Sequence, residues 1–171
     1  MHITTADEPA VHQHLDPLNT LLTETVNSGA SIGWIPPLDA ADAENYWRSR
    51  TAEISVGSRI LLLAWEGETL VGSAQLALEQ RENGNHRAEV QKVMVHSAFR
   101  RRGIGRALML ALETFAIEKN RSLLFLDTRQ GDPSEALYSS MGYVRAGAIP
   151  NYARSQNGDL EATVFYYKIL A

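Results

Sequence analysis

The chain has 171 residues, with 16 Lys and Arg against 20 Asp and Glu and a net charge of −4. That length fits a single domain, 1–171, whose core needs no disulfide or metal, and the acidic balance argues against a general attraction to nucleic acid or anionic lipid. With no cysteine, disulfides, thiolate metal sites and cysteine nucleophiles are excluded together.

Residues 1–16 carry Asp7, Glu8, Pro9 and three histidines without an apolar core, so no signal peptide is expected. The longest apolar runs, 60–65 and 107–112, fall far short of the roughly 20 residues of a membrane helix. A cytoplasmic protein without membrane or nucleic-acid partners is expected, with monomer and homodimer both open. Residues 18–26 then set Leu18, Leu21, Leu22, Thr25 and Val26 on one helical stripe. The Gly-, Ser- and Pro-rich segment 28–37 breaks that helix and presents Trp34 and Ile35 from a loop, a kind of apolar tip that often lines pockets. Asp39 is placed to cap a second helix, 40–55, with Tyr46, Trp47 and Ile54 as candidates for burial and Gly57 to close it.

Residues 60–65 and 69–78, joined through Glu66-Gly67-Glu68, read as a hairpin. Asn83-Gly84 marks a second turn, after which 88–95 makes a third antiparallel strand. Simple alternation puts Glu89, Gln91, Val93 and Val95 on one face of it. An amphipathic helix follows at 105–119, with Leu108, Leu112, Phe115 and Ala116 on one side. The apolar run 123–126 ends in Asp127-Thr128, the form of a buried strand paired in parallel after a crossover helix. Asp132 and Pro133 open a short helix that ends at Met141 and Gly142. Strands at 143–149 and 163–169 flank a loop holding Pro150, Tyr152 and Asn157-Gly158. This order predicts an α/β (α+β) fold: a mixed, mostly antiparallel central sheet of about six to seven strands, helices on both faces and one parallel pair at its centre.

Arg100-Arg101-Arg102-Gly103-Ile104-Gly105 lies between the third strand and the amphipathic helix. Such a turn offers backbone N–H groups at a helix start beside cations, as pyrophosphate binding requires. It is not a Walker loop, which needs Gly-Lys-Ser/Thr where this chain has Gly105-Arg106-Ala107, nor a Rossmann fingerprint, which needs a third glycine at Leu108. The plain alternative is a tight turn relaxed by Gly103, with solvated arginines. His12 and His14 lack the spacing of a metal pair on a helix face, and no metal is expected.

The Arg100-x-x-Gly103-x-Gly105 pattern, following 89–95 and preceding 123–127 and Tyr138-Ser139-Ser140-Met141-Gly142-Tyr143, resembles the GNAT superfamily of acyl-CoA-dependent N-acetyltransferases. Element order matches from about residue 18 to residue 169. Segments 24–33, 87–92 and 126–128 are most similar to the tabtoxin-resistance acetyltransferases. The resemblance implies a splayed central parallel pair, with acetyl-CoA as co-substrate. Its pyrophosphate would be held by the backbone of Arg101, Arg102, Gly103, Ile104, Gly105 and Arg106 with help from Arg100, and its pantetheine by the main chain of Met94 and Val95.

The implied reaction is attack of a neutral amine on the thioester. Glu89 and Asp127 are the candidates to take the amine's proton or bind its ammonium form. Otherwise Glu89 is a strand residue or salt-bridge partner of Arg87 or Lys92, and Asp127 a cap or turn residue. The Val95 N–H is the candidate oxyanion donor, and Tyr138 the candidate acid for the leaving thiolate, with Tyr143 close in sequence. By the same resemblance, Ser31, Trp34 and the loop around Tyr152 edge the acceptor pocket, with 83–87 nearby, and the acceptor is a small-molecule amine, an amino-acid-like toxin or antibiotic among them. Protein lysine or N-terminal acetylation, and a non-catalytic acyl-CoA sensor, are the competing readings.

Overall fold

In the computed structural model, which describes residues 1–170, the chain begins with β1 (His2–Ala6), α1 (Glu8–Gln13), α2 (Leu15–Asn27) and α3 (Ala40–Ser55). It continues through β2 (Arg59–Glu66), β3 (Thr69–Leu78), β4 (Arg87–Val95) and α4 (Ile104–Glu118), and ends with β5 (Leu123–Arg129), α5 (Ser134–Ser140), β6 (Val144–Arg154) and β7 (Leu160–Ile169). Among the described residues seven strands form one sheet of order β1-β2-β3-β4-β5-β7-β6. Every neighbouring pair is antiparallel except β4 with β5. No helix among the described residues is long and apolar enough to cross a membrane.

Both faces of the sheet are covered, which is why β2 reads as an unbroken apolar run. Leu62 and Ala64 face α4, joining Leu108, Met109 and Leu112, whereas Leu61, Leu63 and Trp65 face the opposite layer with Leu18, Leu22 and Trp47. Each fully buried side chain of this kind stabilises the fold by about 1.5–3 kcal/mol. Asp39 caps α3 as expected, accepting from the Asp42 N–H at 2.8 Å, and Gly57, at φ +71°, turns the chain out of it.

The structure departs from the sequence reading in three places. First, residues 2–13 form an edge strand and a short helix capped by Asp7. Only Ala6 of β1 is buried, so the strand leaves little apolar pattern to detect. Second, the segment expected to loop around Pro150 and Tyr152 stays in β6, whose register shifts between Ile149 and Ala153. β6 is an edge strand, and proline is tolerated at an edge or bulge because no partner needs its missing N–H.

Third, β4 does not alternate throughout. Gln91 stands opposite Gln75 and Met94 opposite Ser73, so Lys92 and Val93 together face Ala74, and Lys92 takes φ +50°. This is a β-bulge, and it reverses the alternation that follows. Glu89 and Gln91 share a face, but Val93 and Val95 pack with the α4 layer while Met94 enters the α2–α3 layer.

Candidate active site

The β4–β5 ladder pairs only Arg87–Glu89 with Leu123–Phe125. Beyond Glu89 the two strands no longer pair, and the gap opens into a cleft of about 370 Å³. Glu89, Asp127, Tyr138, Tyr152 and Ser31 all line it, although they come from four strands or helices and a loop. The remaining charged walls are Lys92, Arg129, Asp132 and Glu161, which leaves the cleft acidic in balance.

Asp127 is exposed and accepts from Thr163 Oγ1 at 2.9 Å across the β5–β7 ladder. It caps no helix; before α5 it is Asp132, ahead of the cap residue Pro133, that accepts from the Ser134 N–H at 2.9 Å. Glu89 is half-buried and free of Arg87, which pairs with Glu79 at 3.0 Å. Residues 83–87, expected beside the acceptor pocket, do not line the cleft. Tyr138 is buried at the cleft wall, where loss of solvation and the neighbouring Asp132 push its phenol up to about 12. Tyr143 is buried in the core beside Glu113 and is not a cleft residue.

At the other end of the gap, Gly103 adopts φ +81° as the residue before α4, and Arg101 adopts φ +63°. A glycine is favoured there because a left-handed conformation strains other residues. Ala107 N–H bonds Gly103 O at 3.0 Å, so the amides of Ile104, Gly105 and Arg106 form the open first turn of the helix. Nothing lies within 4 Å of a methyl built on Gly103, so backbone conformation, and not crowding, is what favours glycine there. The arginines divide: Arg106 reaches Ser140 Oγ at 2.6 Å, Arg102 lies over Phe99, and Arg100 donates to Val95 O at 3.3 Å and Ser28 Oγ at 3.4 Å.

His96 gives its N–H to Val71 O at 2.9 Å on the β3 side. Because main-chain groups alternate in direction along a strand, the N–H and C=O of Val95 point the other way, into the gap. Met94, by contrast, is fully buried and paired with Ser73. The Val95 main chain and the first-turn amides of α4 lie outside the residues that line the cleft, and Val95 O is taken by Arg100 Nε at 3.3 Å.

Trp34 does not line that cleft. It lies on a second cavity of about 250 Å³, which shares Ala30, Ser31, Arg129 and Glu161 with the first. Its ring meets Tyr46 edge-on at 5.0 Å, and Lys92 Nζ stands 5.1 Å from its centroid. Tyr152, half exposed, rests edge-on against Phe165 at 5.9 Å. The sequence reading missed Lys92, Arg129, Asp132 and Glu161 as cleft residues. Arg129 could have been found from its place two residues after Asp127, on the same strand face; Lys92 could not, because strict alternation turned it to the other face. Among the described residues there is no group of three His, Asp or Glu side chains arranged to hold a metal.

The chain spans 63% of the length of a curated relative, an uncharacterized N-acetyltransferase from the hisH-hisA intergenic region of Azospirillum brasilense, with 30% identity over 109 residues, 63% of this chain. Its fold is similar to a ribosomal-protein-alanine N-acetyltransferase from Brucella melitensis, with TM-score 0.82, 24% identity and coverage of 99% of this chain and 100% of that one. It is also similar to yncA of Salmonella typhimurium, solved with its cofactor acetyl-CoA, with TM-score 0.81, 19% identity and coverage of 100% and 94%. The model of one family matches residues 26–143, from the end of α2 through the splayed strands, the glycine turn and α5. With more than half of its length matched and the fold in agreement, the chain belongs to the acetyltransferase (GNAT) family.

Proposed function

We propose that the cleft transfers an acetyl group from acetyl-CoA to the amine of a small molecule. The observation that carries this reading is that Glu89, Asp127 and Tyr138 line one cleft, opened by the divergence of β4 and β5. Family membership and the acetyl-CoA complex of the yncA protein support it. Residues 101–106 fit the coenzyme: their turn is glycine-relaxed and at a helix start, where amide dipoles favour a pyrophosphate. Arg100 adds positive charge at its edge. Acetyl-CoA supplies the activated thioester carbonyl when bound.

The chain's own groups then have three tasks. Glu89 and Asp127 attract the ammonium form of the acceptor, and one of them takes its proton directly or through water, since only the neutral amine is a nucleophile. The gap-facing N–H of Val95 is directed to stabilise negative charge on the reacting oxygen. Tyr138 keeps its proton at neutral pH because burial pushes it up to about 12. It then yields that proton to the departing sulfur.

The acidic cleft and its modest volume suit a compact cationic or zwitterionic amine. Within that class we infer an amino-acid-like toxin, on the likeness of segments 24–33, 87–92 and 126–128 to the tabtoxin-resistance acetyltransferases. Coenzyme A release measured against a panel of amines, amino acids, tabtoxinine-β-lactam and peptide amino termini tests both levels. Release with small amines alone is expected. Turnover of peptides alone would transfer the reading to protein acetylation, and no turnover with any amine would overturn acetyl transfer.

A further inference from the structure

Lys92 occupies the bulge of β4 at φ +50°, and its side chain runs into the wall between the two cavities. Nζ donates to Ile32 O at 2.6 Å. It also stands 5.1 Å from the Trp34 ring centroid and 5.8 Å from that of Tyr46, while Trp34 and Tyr46 meet each other edge-on. Gly33, between the bonded carbonyl and the tryptophan, takes φ +110°, and a methyl built on it would lie 3.3 Å from Nζ. The segment 32–34 is thus wrapped around one ammonium group, with a carbonyl dipole on one side and two aromatic faces on the other.

From this geometry we infer that Lys92 is the positioning residue of the acceptor site: it pins segment 32–34, whose Ile32 and Gly33 form part of the cleft wall, and thereby sets acceptor affinity. The inference rests on reading the cleft as the acceptor pocket. It also assigns the aromatic faces of Trp34 and Tyr46 an internal cation, so the acceptor's own ammonium is left to Glu89 and Asp127. Burial and Arg59 disfavour the charge on Lys92, whereas Asp127 and Glu89 favour it. A charge kept in such surroundings is costly unless its hydrogen bond and aromatic contacts are made. The bulge is what permits this: without the extra residue, Lys92 would follow Val90 to the α4 face of the sheet.

The test compares Lys92→Met and Lys92→Arg with the parent chain. Of the three tryptophans, Trp47 and Trp65 are buried, so Trp34 dominates quenching of fluorescence by acrylamide. Lys92→Met should raise the quenching constant about twofold and the KM for the acceptor about tenfold, while the KM for acetyl-CoA stays within about twofold. Lys92→Arg, which retains a cation able to bond a carbonyl and stack on an indole, should recover most of both effects. Unchanged quenching in a folded Lys92→Met protein overturns the pinning. Raised quenching with an unchanged acceptor KM, or equal losses for acceptor and coenzyme, overturns the role in acceptor affinity. Quenching is read without turnover, so it judges the pinning even if no amine in the panel is acetylated, an outcome that overturns the acceptor role with the acetyltransferase reading itself. If Lys92→Met does not fold, Lys92→Gln, which keeps a donor but no cation, takes its place with the same expected direction.

Discussion

Arg106, in the first turn of α4, donates to Ser140 Oγ at 2.6 Å in the last turn of α5. The helix that starts at the glycine turn is thereby tied to the helix that carries Tyr138, only two residues from Ser140. The proposed coenzyme turn and the proposed acid are held to a common frame, and changes to either should be legible in separate kinetic constants.

Tyr138→Phe removes the hydroxyl and keeps the ring that packs in the core. It should lower kcat about 100-fold with KM for acetyl-CoA little changed. Since the phenol is pushed up to about 12, the parent enzyme should show no loss of kcat from its ionisation below about pH 10. Steady-state rates over pH 6–10 check both statements, and a variant as fast as the parent would remove Tyr138 from the mechanism.

Glu89→Gln and Asp127→Asn should each lower kcat/KM for the acceptor, and the residue that takes the proton should show the larger fall in kcat, about 100-fold. Groups serving one proton transfer do not act independently, so the double variant should lose far less than the product of the two single effects. Multiplicative losses would assign the two carboxylates to separate tasks.

At Gly103 the expected effect falls on the coenzyme. Alanine there meets no neighbour within 4 Å but must hold φ +81°, a cost of about 1–2 kcal/mol. Gly103→Ala should raise the KM for acetyl-CoA, leave that for the amine alone, and lower the melting temperature by roughly 2–8 °C.

Gly72 makes the opposite case. A methyl there would lie 2.8 Å from Met94 O and 3.2 Å from Ile104 and Leu108 side chains, so β4 or α4 must shift. Gly72→Ala should cost about 1–3 kcal/mol and lower the melting temperature by roughly 3–10 °C. A melting temperature equal to the parent's would show that α4 is not seated tightly against β3.

Tyr166 donates to Glu135 Oε2 at 2.6 Å, which lowers the glutamate pKa and raises that of the tyrosine. The depressed carboxyl contributes stability above its ordinary pKa, about 4.5, and loses it as pH falls through the folded value. The raised phenol contributes stability below about pH 10 and loses it as pH rises through its folded value. The difference in melting temperature between the parent and Tyr166→Phe should therefore be flat through neutral pH and shrink toward both extremes.

The parts of the fold legible in the sequence were those with a strong local pattern: the stripe of α2, the Asp39 cap, the β2–β3 hairpin and the apolar β5 after its crossover helix. β1 was hidden because an exposed edge strand needs few apolar residues. β6 was cut short at Pro150, where the usual bias against proline in strands does not apply to an edge. Glu89, Asp127 and Tyr138 were named from motifs, yet their meeting in one cleft depends on where two strands stop pairing, a property of the sheet and not of any short segment. Glu161 escapes for the same reason and Lys92 because the bulge breaks the strict alternation that turns it to the other face, while the place of Trp34 on the neighbouring cavity depends on Tyr46 and Lys92, which are distant in the chain.

The bulge in β4 gives the strand two phases. Up to Gln91 the odd-numbered side chains turn toward the α2–α3 layer; from Met94 onward the even-numbered ones do. Residue count at this point is consequently as constrained as residue type. Loss of one residue between Gln91 and Met94 would remove the bulge and leave Met94 opposite Ser73 and Val95 opposite Gly72 as before, while the single residue left opposite Ala74 would turn to the α4 face. The extra residue is thus what places the Lys92 side chain in the wall of the cleft, and it does so without moving either half of the strand from its face.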